Sequence, residues 1–156
     1  MGGSFSLGLD QAVKNVANQG IRFAVAAGNS MADADTYSPA SAGDHDNVYT
    51  VSAVDRYYNT AWWSNYDDAA GGDDVDVSAP GVSVYSYYKG GELNFLSGTS
   101  MAAPHVAGLL ISGGVKEGDM AGVNWFGYAD PFALAKKSIS ATNSSDTTPP
   151  SIPISS

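Results

Sequence analysis

Leu9, Ala12, Val13, Val16 and Ala17 recur at helical spacing through LDQAVKNVANQ, so the pattern predicts a helix over 9–19. Gly20 follows as a left-handed stop. IRFAVAAG (21–28) is a short unbroken apolar run, which reads as a buried strand. Helix, glycine stop and buried strand make half of a βαβ unit and argue for a parallel sheet covered by helices. VYTVSAV (48–54) reads as a second strand, and VDVS (75–78), closed by Pro80-Gly81, as a third. VSVYSYY (82–88) alternates, meets Lys89-Gly90-Gly91 and returns through Leu93–Leu96, the signature of a hairpin. Residues 100–111 read as an apolar helix in which Pro104 is tolerable only within the first turn.

Beyond that helix the pattern weakens. SGGVKEGDMAGVNWFGYADP is glycine-rich and is expected to be irregular, with a short helix over Pro131–Lys137. The serine-, threonine- and proline-rich stretch from Ser140 carries almost no apolar residue and reads as a linker or tail over 140–156, after a domain over 1–139. Such a tail suggests a further domain or a surface anchor downstream.

Composition narrows the partners more than the fold. The 156 residues are enough for one domain with a core, and 44% are apolar. The net charge of −9 repels nucleic-acid phosphates and anionic lipid, so neither is expected as a partner. The acid excess serves solubility, and it also suits Ca²⁺, which takes oxygen ligands. With no cysteine, disulfides, zinc thiolates and thiol nucleophiles are excluded. No apolar run approaches the ~18 residues of a membrane-spanning helix. Met1 is followed by GGSFSLG, which has no basic start and no long apolar core, so no signal peptide is read.

The chemistry gathers around GTSMAAPHVAG (98–108). A serine hydroxyl becomes a nucleophile only when a base takes its proton and donors stabilise the oxyanion it forms. Ser100 sits where a Gly-Thr turn enters a helix, so free backbone N–H groups and the positive dipole end favour developing negative charge. A bare Gly-Thr-Ser is more often a helix cap than a nucleophile. The eleven residues together resemble the active-serine signature of the subtilisin family. AVAAGNSMADADTYSPAS, VSAVDRY, WWSNY and VDVSAPG follow that family's pattern over roughly residues 2–112, nearest its proteinase K-like subgroup.

The resemblance implies a three-layer α/β sandwich with a mostly parallel sheet, cut at its N-terminal side, and a secreted serine endopeptidase. It implies Ser100 as nucleophile and Asn29, just past a buried strand, as the oxyanion-hole asparagine. Gly2 and Gly3 match one wall of the substrate pocket, Ala26, Ala27 and Gly28 the other, and Tyr37 lies near its base. Small walls leave a slot for a large apolar side chain of a protein or peptide substrate. For structural Ca²⁺ the matching positions are Asp46, Val48 and Asp76, although AGDHDN is longer than the subgroup's loop there. Asp67, Asp68, Asp73 and Asp74 form a second acidic stretch, also readable as a solvated loop.

The two histidines do not complete this set. His105 lies five residues after Ser100, about 500° around a helix and so roughly 140° from the serine's face. It is expected to be a packed structural residue. His45, in SAGDHDNVY, reads as a surface loop residue. The chain therefore carries a nucleophile and an oxyanion donor without a matched base or aspartate, and is expected to be inactive as isolated. The alternative is a binding module built on a peptidase frame.

Overall fold

The computed structural model describes residues 2–67, 74–124 and 127–136. The tail over 140–156, Asp68 and Asp73 lie outside the described residues. A short strand β1 (Gly3–Ser4) leads into helix α1 (Leu7–Ala17). Gly20, at φ +85°, follows the helix end, and strand β2 (Phe23–Ala26) begins three residues later. Then come β3 (Tyr37–Ser38), β4 (Val48–Val54), β5 (Val77–Pro80), and the hairpin of β6 (Val84–Tyr87) and β7 (Leu93–Leu96). Helix α2 (Thr99–Ile111) follows, and strands β8 (Val115–Met120) and β9 (Pro131–Ala135) close the described chain.

The main sheet has the order β2-β4-β5-β9-β8, parallel from β2 through β9, with β8 antiparallel at the far edge. Strand alternation sorts its two faces. Val51, Ala53, Val77 and Ala79 pack against Ala102, Ala103, Val106 and Leu110 of α2. Val25 and Val48 point the other way and pack against Ala17 of α1. Helix, sheet and helix make three layers, an α/β arrangement with a mostly parallel sheet. Each fully buried valine of β4 contributes about 1.5–3 kcal/mol relative to exposure.

Two segments depart from the sequence expectation. The stretch expected to be irregular contains β8, and the helix expected over Pro131–Lys137 is β9 within its described residues. VKEGDM has no strand pattern of its own. It is ordered by its partner, with register shifts between Glu117 and Met120. PFALA is a short apolar run that periodicity cannot assign. Docking decides it: Phe132 lies beside Ser78 of β5 and packs edge-on against Tyr58, with centroids 5.4 Å apart. Pro104 also departs from expectation. It falls in the second turn of α2, where it leaves the Ser100 carbonyl without its i+4 donor.

Under this added edge the sheet's face turns polar. Asp130 is only 7% exposed, and its Oδ2 accepts a 2.5 Å hydrogen bond from Ser52 Oγ. Burial pushes the Asp130 carboxyl up to about 6, against the opposing pull of the Ser52 hydroxyl. The folded chain therefore holds this proton more tightly than the unfolded one. The stabilisation is fully present below the ordinary value of 3.8 and is lost as pH rises through about 6. The loss is on the order of 3 kcal/mol at most. Denaturant unfolding at pH 5 and pH 8 is expected to show lower stability at pH 8, and Asp130→Asn to flatten that difference.

Candidate active site

Ser100 stands in the first turn of α2 and is exposed. The turn before it is held from three directions. Gly98 N–H donates to the Gly81 carbonyl at 2.8 Å. Thr99 N–H donates to Asn29 Oδ1 at 2.8 Å, and Thr99 Oγ1 donates to the same oxygen at 3.0 Å. Gly28 N–H donates to Thr99 Oγ1 at 3.1 Å. Gly81 can approach this closely because it has no side chain: a Cβ there would sit 2.6 Å from Ala53 Cβ.

These bonds decide how Asn29 is turned. A backbone N–H can only donate, so the Asn29 carbonyl oxygen faces Thr99 and its NH₂ group is left over. That NH₂ lies 3.6 Å from where a Gly98 Cβ would be, on the rim of the cavity that Ser100 also lines. The geometry presents an exposed hydroxyl and an unspent N–H donor to one space, beside the N-terminus of a thirteen-residue helix.

Asn29 is in turn placed by a residue that the sequence pattern did not single out. Asn65 is fully buried. Its Oδ1 accepts from Ser30 N–H at 2.9 Å and Ala32 N–H at 3.3 Å, and its Nδ2 donates to the Ala27 carbonyl at 2.9 Å. Gly28 between them has φ +115°, and a Cβ there would stand 2.3 Å from Asn65 Nδ2. Glycine is required at this corner on both counts. The only sequence signal was the position of Asn65 inside WWSNY.

The residues expected to bind substrate come together around the same cavity, of about 310 Å³. Gly2 and Gly3 line it with Ala26, Ala27, Gly28, Tyr37, Asn29 and Ser100. The Gly3 wall is fixed by β1–β3 pairing, Gly3 opposite Ser38 and Ser4 opposite Tyr37.

The histidines fall elsewhere. Among the described residues no hydrogen bond reaches Ser100 Oγ. His105 Nδ1 is bonded to the Met101 carbonyl at 2.9 Å. Contrary to expectation His105 is exposed rather than packed, and it lines the cavity between α2 and the β6–β7 hairpin that Ser100 also borders. His45 accepts from Asn47 N–H through Nδ1, so its Nε2–H donates to Asn18 Oδ1 at 3.0 Å.

The positions expected for calcium fall at one end of the β4–β5 pair. Thr50 N–H donates to Asp76 Oδ2 at 2.7 Å, and Asp76 N–H returns a bond to the Thr50 carbonyl at 3.0 Å. Val48 begins β4 two residues before Thr50, and Asp46 is exposed in the preceding turn. Among the described residues no three acidic or histidine side chains converge on one point. An ion here would take most of its six to eight oxygens from carbonyls and water, a donor set that suits Ca²⁺ and not zinc. In the second acidic stretch, Asp67 accepts from Val75 N–H at 2.9 Å and Asp74 is buried, so neither is a freely solvated loop charge.

The sequence pattern of the subtilase family matches residues 2–112. Proteinase R of Parengyodontium album is 45% identical over 109 residues, which are 70% of this chain and 26% of that protein. Subtilisin-like protease 2 of Pseudogymnoascus destructans is 50% identical over 111 residues, with the same shares. The crystal structure of a cold adapted subtilisin-like serine proteinase matches with a TM-score of 0.63 and 39% identity, over 70% of this chain and 37% of that one. The chain thus spans about a quarter of the length of the curated relatives it matches.

The Asn65 knot yields a direct test. Asn65→Leu keeps a similar volume but strands Ser30 N–H, Ala32 N–H and the Ala27 carbonyl. Each buried group left unpaired costs about 1–3 kcal/mol. A thermal melt is expected to show a fall in Tm well beyond that of an exposed control such as Asn94→Leu.

Proposed function

This chain belongs to the subtilase family, and from that premise we propose that it carries the nucleophile and the side-chain oxyanion donor of a serine endopeptidase. The observation that carries the reading is the orientation of Asn29. Thr99 holds its carbonyl oxygen, so its N–H points to the cavity beside the Ser100 hydroxyl. In the proposed reaction Ser100 Oγ adds to a peptide carbonyl. The oxyanion takes hydrogen bonds from Asn29 Nδ2–H and Ser100 N–H, and an acyl-enzyme forms as the amine leaves. Ala26, Ala27 and Gly28, facing Gly2 and Gly3 above Tyr37, make a slot for a large apolar side chain of the substrate.

The proton on Ser100 Oγ needs an acceptor, and both histidines are committed elsewhere. In this reading the base and its carboxylate partner come from a segment outside these 156 residues. The same observation favours a second reading for the chain by itself, as a module that binds peptides without cleaving them. Secretion of the whole enzyme is a further part of the proposal and rests on the family alone. No described helix is long and apolar enough to cross a membrane.

Incubated alone with a chromogenic peptide, the 156-residue chain is expected to show no turnover above that of Ser100→Ala. Robust turnover lost in Ser100→Ala would overturn the missing-base argument.

Structural Ca²⁺ at Asp76, with main-chain oxygens near Val48 and Asp46, completes the proposal. Added Ca²⁺ is expected to raise the Tm of the wild-type chain, and Asp76→Asn to abolish that rise. An equal rise in both proteins would place the ion elsewhere.

A further inference from the structure

His105 has no place in the proposed chemistry, and neither has Asp119. Both line another cavity, of about 590 Å³ against about 310 Å³ at Asn29. The ends of β4 and β5 bound it on one side and β9 on the other. Val54, Pro80, Val82 and Leu134 give it apolar walls, and the Tyr58 and Phe132 rings meet edge-on at its side. Asp119, Phe132 and Leu134 lie beyond the residues that match the subtilase pattern. The cavity is thus built partly by a stretch of chain that the family reading leaves without a role.

An irregularity in the sheet sets Asp119 at this place. Glu117 stands opposite Ala133 and Met120 opposite Pro131, so Gly118 and Asp119 of β8 together face the single residue Phe132 of β9. Such a bulge takes a side chain out of strand alternation and re-aims it. Asp119 is exposed at the cavity's edge, and among the described residues its carboxylate has no hydrogen-bond or ion-pair partner. Tyr58 holds φ +68°, a conformation uncommon for a bulky residue, and it is 67% exposed.

The polar groups around the cavity are chiefly open acceptors. Asp55 Oδ1 is taken by Tyr57 N–H at 2.8 Å and Asn59 N–H at 3.0 Å, which leaves Asp119 as the free carboxylate. His105 Nδ1–H donates to the Met101 carbonyl, so Nε2 of the neutral ring can only accept. Arg56 is the one lysine or arginine in the lining. Its Nη2 donates to the Tyr57 hydroxyl at 2.6 Å, and its guanidinium lies 4.8 Å over that ring, which is not part of the lining. An anion would therefore meet an open carboxylate and a guanidinium already laid on a ring. An organic cation would meet a carboxylate, an imidazole acceptor and an exposed aromatic ring. The apolar walls fit an apolar body behind that charge, and a net charge of −9 draws cations to the surface.

We infer that this cavity binds a small organic ammonium ion with an apolar body, the charged head at Asp119 and the Tyr58 ring, the body against Phe132 and Leu134. The inference is independent of Ser100 and of the peptidase reading.

The 156-residue chain is titrated with 2-phenylethylamine, which is protonated at pH 7, and followed by amide NMR shifts. 2-Phenylethanol and 3-phenylpropanoate are the neutral and anionic controls of similar shape. The expected result is saturable binding of the amine, weaker binding of the alcohol and none of the anion, with shifts along residues 54–58, 80–84 and 132–134. Asp119→Asn is expected to weaken the amine about fivefold, as loss of an exposed ion pair should. Glu92→Gln, which removes one negative charge at the hairpin tip, is expected to leave it unchanged. Tyr58→Asn supplies an independent variant, because asparagine tolerates the left-handed backbone held there; it is expected to weaken amine and alcohol alike. Circular dichroism checks that each variant remains folded. Anion binding as tight as that of the amine, an amine affinity unchanged by Asp119→Asn or lowered equally by Glu92→Gln, shifts centred elsewhere, or no saturable shift at all would each overturn the inference. None of these measurements reads turnover, so the two readings fail separately.

Discussion

Thr99 is sealed from solvent, and its hydroxyl is shared between residues some seventy positions away in the chain. It accepts from Gly28 N–H and donates to Asn29 Oδ1, while its own N–H donates to the same oxygen. One side chain thus ties the end of β2 to the start of α2. A buried hydroxyl without partners would be costly, so the arrangement is stable only with both segments in register. Asn65 repeats the device one step back by filling the hydrogen-bonding needs of the Ala27–Ala32 turn. Together they make Asn29 a fixed donor on an otherwise exposed loop.

The packing around this joint follows from the same placement. With its first turn held against Asn29 and Gly81, α2 must lie across β2, β4 and β5, and its small residues Ala102 and Ala103 allow close approach to the sheet. On its other flank Pro104 and His105 face the β6–β7 hairpin across a cavity, and Ile111 is 88% exposed. Pro104 is tolerated in the second turn because the carbonyl it leaves free belongs to exposed Ser100. Beside β5, β9 and β8 extend the sheet beyond the residues that match the family, over a buried carboxyl whose pKa burial raises.

Two cavities meet at Ser100. One has small walls and an oriented amide; the other is bounded by the hairpin and the α2 flank. The serine is accessible from both and hydrogen-bonded to neither. Among the described residues no hydrogen bond reaches its hydroxyl, and electrostatics at the helix N-terminus cannot supply a proton acceptor, because a dipole stabilises an anion without removing a proton.

Strong local pattern carried much of this. The seven residues of β4, the α2 helix, the β6–β7 hairpin and the glycine after α1 follow from apolar spacing and from turn chemistry within a few residues of each. Ser100 and Asn29 were legible because one long motif and one strand end mark them. The sequence by itself also excluded thiol chemistry and turned His105 away from the serine through helix geometry. It did not reach β8 and β9, whose strand form exists only through pairing, nor the exposure of His105, which depends on what covers that flank. It did not reach Asn65 or the orientation of Asn29 either. Hydrogen-bond partners 33 to 71 residues apart decide those, and no local pattern encodes which distant donor will face which acceptor once the chain has packed.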